Sequence, residues 1–346
     1  MQTVVNIGFD GAVEPIFEVQ SRAVGQLLAT PDILAHALLL TGARGIGKAA
    51  VAAAIARALL CETAYGQRPG HLACGVCPSC HWIDAGHHPD LRHLGLLTNK
   101  EGKQAWEISI DQIRDLEEFV GMTAFRDGAR VVLVDPAETL SVPAANALLK
   151  MLEEPGERTY FLLVTHRPDS LPATVRSRCR RVPVPAPTAP AQQAWLASQA
   201  GVSPADAARL LAFSGGSPLH ARHLADPSNL TAYRSLLEAI GSLPDTASVA
   251  VADLVSGANV EHWYTLLQRW VSDLVRVSAG AAPRFFPDSA PRLQALRQRS
   301  SLMGLTLAAA RLQRQAVLLR HPLNPRLFLE ESLALYLDAF DGPRSK

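Results

Sequence analysis

The stretch that most constrains this chain is His36-Ala37-Leu38-Leu39-Leu40, followed by Gly42-Ala43-Arg44-Gly45-Ile46-Gly47-Lys48. A short, nearly continuous apolar run ended by a turn signal reads as a buried strand of a parallel sheet. The glycines let the next segment curl so that its N–H groups converge. The alanine-rich run Lys48 to Leu60 then opens a helix, whose N-terminus adds positive potential. Arg130 to Val134 and Tyr160 to Val164 read as two further buried strands, with a helix candidate at Ile110 to Val120 between the first and second of the three. This alternation predicts an α/β domain with a parallel sheet and flanking helices, running to about residue 182.

Pro183, Pro185, Pro187 and Pro190 then interrupt the chain, since proline cannot continue a helix or a central strand. Beyond them the expectation is a small helical domain over 183–243, containing the turn Ser214-Gly215-Gly216-Ser217-Pro218, and an all-α domain over 244–346. In the latter, Trp263, Leu266, Leu267 and Trp270 fall at helical spacing, and residues 327–340 form an amphipathic helix candidate. The formal charge of +1 argues against a chain that grips DNA alone through phosphates. The apolar run from Val51 to Leu60 is too short to span a membrane and carries Arg57. The first fifteen residues show no basic region ahead of an apolar core, so a cytoplasmic protein is expected.

Three groups of residues carry chemistry. In the glycine loop, Gly42, Gly45, Gly47 and Lys48 are suited to phosphates, but Ala49 stands where a Ser or Thr hydroxyl would bind Mg²⁺. Either a weakened nucleotide site or a strand-to-helix turn without a ligand fits. Asp135 ends a strand, where a carboxylate could hold a metal through water, yet Pro136 follows it and Glu138 comes only two residues later. Cys61, Cys74, Cys77 and Cys80, four of the five cysteines, have the spacing of a four-thiolate site, for which structural Zn²⁺ is the usual occupant. His71, His81, His87 and His88 flank it as possible substitutes for one thiolate.

The segment Ala144 to Pro155, AANALLKMLEEP, is similar to the NALLKxLEEP sequence of bacterial clamp-loader subunits. With the cysteine cluster, the FLLVT strand and Ser177-Arg178-Cys179, the chain resembles the clamp-loader branch of the AAA+ superfamily, densely from about Gln20 to Arg181. The resemblance implies an AAA+ domain with an inserted zinc module at about 61–80, a helical lid and a C-terminal collar. It also implies a place in DNA polymerase III, with gamma/tau and delta subunits as partners and the sliding clamp and primer–template DNA met through the assembled complex. Motor subunits of that branch keep complete nucleotide motifs. Ala49 and Pro136 instead match the non-motor type, which hydrolyses little or no ATP and lends the Ser-Arg-Cys arginine, Arg178, to a neighbour's ATP site. Thr165 keeps the sensor 1 position. Where motor subunits carry a sensor 2 arginine shortly after a Gly-Ser step, Gly216-Ser217 leads here to Pro218 and Leu219, and Arg222 is close enough that either a lost or a kept sensor 2 fits.

Overall fold

The computed structural model describes residues 17–30, 33–98, 102, 105–125, 128–246, 248, 251–252, 259–320 and 324–340. The expectation made for the first fifteen residues lies outside them. The chain divides into two compact units, residues 1–191 and 192–346.

In the first unit, described residues form one parallel sheet of β1 (Ala37–Thr41), β2 (Leu91–Leu94), β3 (Arg130–Val134), β4 (Thr159–Thr165) and β5 (Arg180–Pro183). The strands lie in the order β2-β3-β4-β1-β5. The three central strands match those expected. The two edge strands were not foreseen. β2 (LRHL) and β5 (RRVP) mix polar with apolar residues because an edge is only half covered, and Pro183 is tolerated at the end of such a strand.

The period-2 geometry of a strand sorts neighbouring side chains to opposite faces. Ala37, Leu39, Val132, Val134, Phe161 and Leu163 pack on one side. There they meet α4 (Ile110–Gly121), α5 (Val142–Glu153) and α6 (Ala173–Arg178) through Leu116, Leu148 and Val175. Leu38, Leu40, Val131, Leu133, Leu162 and Val164 face the other side, against α1 (Glu18–Leu28), α2 (Lys48–Leu60) and α3 (Pro78–Asp84) through Leu28, Ile55 and Ile83. Both faces are covered, which explains why the central strands are apolar almost throughout. Local signals start the helices. Ser109 and Gln112 cap α4 reciprocally, with Oγ accepting from the Gln112 N–H at 3.4 Å and Oε1 from the Ser109 N–H at 3.0 Å. Ser141 Oγ caps α5 by accepting from the Ala144 N–H at 3.3 Å.

The second unit is helical. Its helices are α7 (Ala189–Ala200, shared with the end of the first unit), α8 (Pro204–Phe213), α9 (Pro218–Leu224) and α10 (Pro227–Gly241). They are followed by α11 (Val260–Ser278), α12 (Ala290–Arg297), α13 (Leu302–Gln315) and α14 (Pro325–Leu337). One hydrophobic core extends from Leu196 to Ala339, centred on the buried rings of Trp263, Tyr264, Trp270, Phe286 and Tyr336. The Trp270 indole N–H donates to the Tyr336 hydroxyl at 3.1 Å. The buried Asp273 carboxylate accepts from the backbone N–H groups of Arg284, Phe285 and Phe286, each at 2.8 Å, and so fixes the turn after α11. Asn324 caps α14 by accepting from the Arg326 and Leu327 N–H groups, which accounts for the Asn324-Pro325 pair. Among the described residues no helix is long and apolar enough to cross a membrane.

Candidate functional site

β1, β3 and β4 end side by side, and the loops leaving their C-terminal ends converge there, as crevices do in open α/β sheets. The loop after β1 needs its glycines: Gly45 and Gly47 have φ of 75° and 94°, where a Cβ would be strained. Lys48, the first residue of α2, is buried and its Nζ donates to the Ala43 carbonyl of the same loop at 2.7 Å. Burial lowers its pKa, against the opposing pull of Asp135 and Glu138. Ala49 presents only a methyl to the exterior. A residue that sequence reasoning overlooked secures this loop. Gln20 of α1 is wholly buried, and its amide donates to the carbonyls of Ile46 at 2.8 Å and Pro185 at 3.2 Å. Its isolated position in the sequence carries no motif.

Asp135 lies just past β3, held by its N–H to the Leu94 carbonyl at 2.9 Å. Burial, with Glu138 adding to it, raises its carboxyl to about 6 despite the presence of Lys48 and His166. Glu138 turns inward. Its side chain is completely buried and pairs with His166, the residue after Thr165 at the end of β4. Burial alone would raise this carboxyl, but hydrogen bonding to His166, with help from Thr165, holds it at about 2. Its other oxygen, Oε2, is buried and meets no hydrogen-bond donor among the described residues. The structure thus gathers Gly42, Gly45, Gly47, Lys48, Asp135 and Thr165, and adds Glu138 and His166. Sequence reading had set Glu138 aside and overlooked His166, since the partners are twenty-eight residues apart.

Cys61 ends α2, Cys74 and Cys77 lie in the following loop, and Cys80 sits in α3. Their four sulfurs lie within 4.8 Å of one another and could hold a metal ion. Cys61 and Cys77 sulfurs are 3.9 Å apart, and those of Cys74 and Cys80 are 4.0 Å apart. A hydrogen bond from Thr63, aided by the Val76 N–H, brings the Cys74 thiol down to about 6, while burial pushes Cys80 up. None of the four flanking histidines joins this group. His88 instead serves the scaffold. Its Nδ1 accepts from the Asp90 N–H at 3.1 Å, so its Nε2–H faces the Ser79 Oγ at 2.6 Å, and that hydroxyl donates to the Leu60 carbonyl at 2.6 Å. The proton directions leave Ser79 no base, so this Ser–His pair is a brace and not a nucleophile. The Arg57–Asp84 ion pair adds a second tie from α2 to α3.

Arg178 is the last residue of α6. It pairs with Glu153, the last residue of α5, and its Nη1 donates to the Thr174 carbonyl at 2.9 Å. Arg176 pairs separately with Asp169 at 2.8 Å. Cys179 is buried, and burial raises its thiol to about 11. In the second unit, Arg222 lies over the Trp195 ring, 5.9 Å from its centre.

A family described as "DNA polymerase III, delta subunit" matches residues 23–188. The DNA polymerase III subunit delta' of Pseudomonas aeruginosa is 47% identical over 192 residues, covering 55% of this chain and 56% of that one. Residues 23–188 are thus similar to the delta-prime subunits of DNA polymerase III. The Escherichia coli delta' subunit is 38% identical over 205 residues, 59% of each chain. The tau subunit of the same organism is 38% identical over 144 residues, 42% of this chain and 20% of its own. The alignments therefore span little more than half the length of the delta-prime relatives. The glycine loop 42–48, the cysteine cluster, Asp135, Thr165 and Arg178 all fall inside the matched segment.

Proposed function

We propose that this chain is the non-motor, delta-prime subunit of a cytoplasmic clamp loader, supporting ATP-dependent placement of the sliding clamp on primed DNA. In this reading residues 1–182 are the AAA+ domain, 183–243 the lid and 244–346 the collar. Gamma/tau and delta subunits are the ring neighbours, and primer–template DNA is met through the assembled ring. The observation that carries it is a mismatch within one domain. The strand–loop–helix scaffold of a nucleotide site is intact, yet Ala49 offers no metal ligand and Glu138 is sealed against His166. Meanwhile Arg178 remains one-third exposed at the end of α6. A guanidinium is always charged and can bridge phosphate oxygens, so it suits charge developing on a neighbour's γ-phosphate.

Zinc is the metal we assign to the cysteine cluster. A tetrahedron with bonds of about 2.3 Å has sulfur–sulfur edges of about 3.8 Å, close to the 3.9 and 4.0 Å separations between paired sulfurs. Bound there, the ion would supply charge and cross-linking and would draw the proton even from buried Cys80. With four protein ligands it keeps no position open for catalysis.

The test is hydrolysis, measured twice. The isolated chain should turn over negligible ATP, and the reconstituted ring should lose clamp- and DNA-stimulated hydrolysis at one partner site on Arg178→Ala. Arg176→Ala and Arg180→Ala serve as charge controls. Robust turnover by the isolated chain, abolished by Lys48→Ala, would replace this reading with that of an active motor subunit.

A further inference from the structure

We propose that Glu153 is a positioning residue for Arg178, setting the guanidinium in place before a neighbouring subunit's phosphate reaches it. The proposal rests on the reading of Arg178 as a residue that acts on a partner's nucleotide. Its geometric basis is independent of that reading. α5 and α6 end close together, and the last side chain of each meets the other.

The guanidinium is held from two directions, by the Glu153 carboxylate at Nη2 and by the Thr174 carbonyl at Nη1. The same carbonyl accepts from the Ser177 hydroxyl at 3.0 Å, which ties down the turn that carries Arg178. A guanidinium has five N–H donors in a rigid plane. Two partners fix that plane and leave donors for a phosphate, so the residue does not have to release Glu153 to act. An unheld arginine side chain samples many rotamers, and ordering it on arrival of the nucleotide would be charged against the transition state.

The strength of the pair suits this role. Its side chains are 33% and 48% exposed, so water and salt screen it and it contributes little to folding. Arg176, two residues earlier, is occupied by Asp169, whose side chain is almost fully exposed. The two carboxylates thereby assign the two arginines of α6 to different directions, and Glu153 selects the one in the Ser-Arg-Cys segment. Glu153 is also the first glutamate of the Leu-Glu-Glu-Pro stretch, residues 152–155, that drew attention in the sequence without a physical role.

The experiment uses the full chain in the reconstituted ring with clamp and primed DNA. The quantity read is the Arg178-dependent part of hydrolysis, meaning the wild-type rate less the rate with Arg178→Ala. Glu153→Ala should lower that part about tenfold, the scale of a displaced catalytic group, while the KM for ATP stays unchanged. Glu153→Gln, which keeps an acceptor without its charge, should fall between the two. Glu153→Ala added to Arg178→Ala should cause no further loss. Melting temperature and metal content of the isolated variants should match the wild type, since the pair is exposed. A wild-type rate with Glu153→Ala, alongside a reduced rate with Arg178→Ala, would overturn the positioning role and leave the finger standing. A further loss in the double variant, or a fall in melting temperature that accounts for the loss, would also overturn it. A wild-type rate with Arg178→Ala would remove the finger reading itself.

Discussion

Asp135 and Glu138 are two carboxylates three residues apart whose environments push them in opposite directions, to about 6 and about 2. Glu138 is hydrogen-bonded by its own partner, His166, whereas Asp135 is buried beside Glu138, and Lys48 and His166 offset that only in part. A carboxyl whose folded pKa is raised favours the folded state below its unfolded value, 3.8, and loses that contribution as pH climbs through about 6. The loss corresponds to about 1–3 kcal/mol at neutral pH. Asp135→Asn should therefore stabilise the chain by that amount at pH 7.5 and lose its advantage below pH about 4. Denaturant melts at the two pH values measure it, and an equal effect at both would show that the carboxylate is not strained. The sequence pointed to Asp135 through its place at the end of a strand, and to Gly42 through Lys48 by their spacing. It gave no sign of Gln20 or of the Glu138–His166 pair, because both are long-range contacts made by residue types that usually lie at the surface.

The cysteine module shows how one element is fastened to the next. Cys61 closes α2 and Cys80 lies in α3, so a shared metal would join the two helices covalently. Beside it the chain Leu60–Ser79–His88–Asp90 joins them by hydrogen bonds, and the Asp90 carboxylate continues to the Phe125 N–H at 3.0 Å. Ser79 and His88 are both buried. Ser79→Ala would strand the Nε2–H of His88 and the Leu60 carbonyl together, at a cost of about 1–3 kcal/mol for each buried group left unpaired. The variant should melt lower yet bind as much metal as the wild type. Loss of metal along with stability would mean that the brace and the cysteine cluster form one unit. At this scale the central strands and α2 were legible because burial on both faces writes a continuous apolar run. β2 and β5 were not, since an edge strand satisfies only one neighbour and its composition approaches that of a loop.

The molecule as a whole holds separate cores, two against the faces of one sheet and one among the helices beyond residue 192. Proline after proline marked a break near 183 in the sequence, but the extent of the helical core was not readable there, because α7 to α14 share it through contacts between residues far apart, such as Trp270 with Phe286 and Trp263 with Phe328. The separation of cores predicts how the chain comes apart. The four clustered cysteines lie in the first unit, and a metal bound there would add directly to the stability of whatever folds with it. Removing the metal with a chelator withdraws that contribution from one unit and leaves the buried Trp263, Trp270 and Tyr336 cluster untouched. Calorimetry of the intact chain should therefore resolve two transitions. Chelation should lower the one accompanied by release of the four thiols and leave the other, followed by near-ultraviolet signals of the buried tryptophans, within about 1 °C of its original position. A single transition that moves as one body on chelation would show that the two units unfold together, and that the metal stabilises the whole chain rather than the sheet domain that binds it.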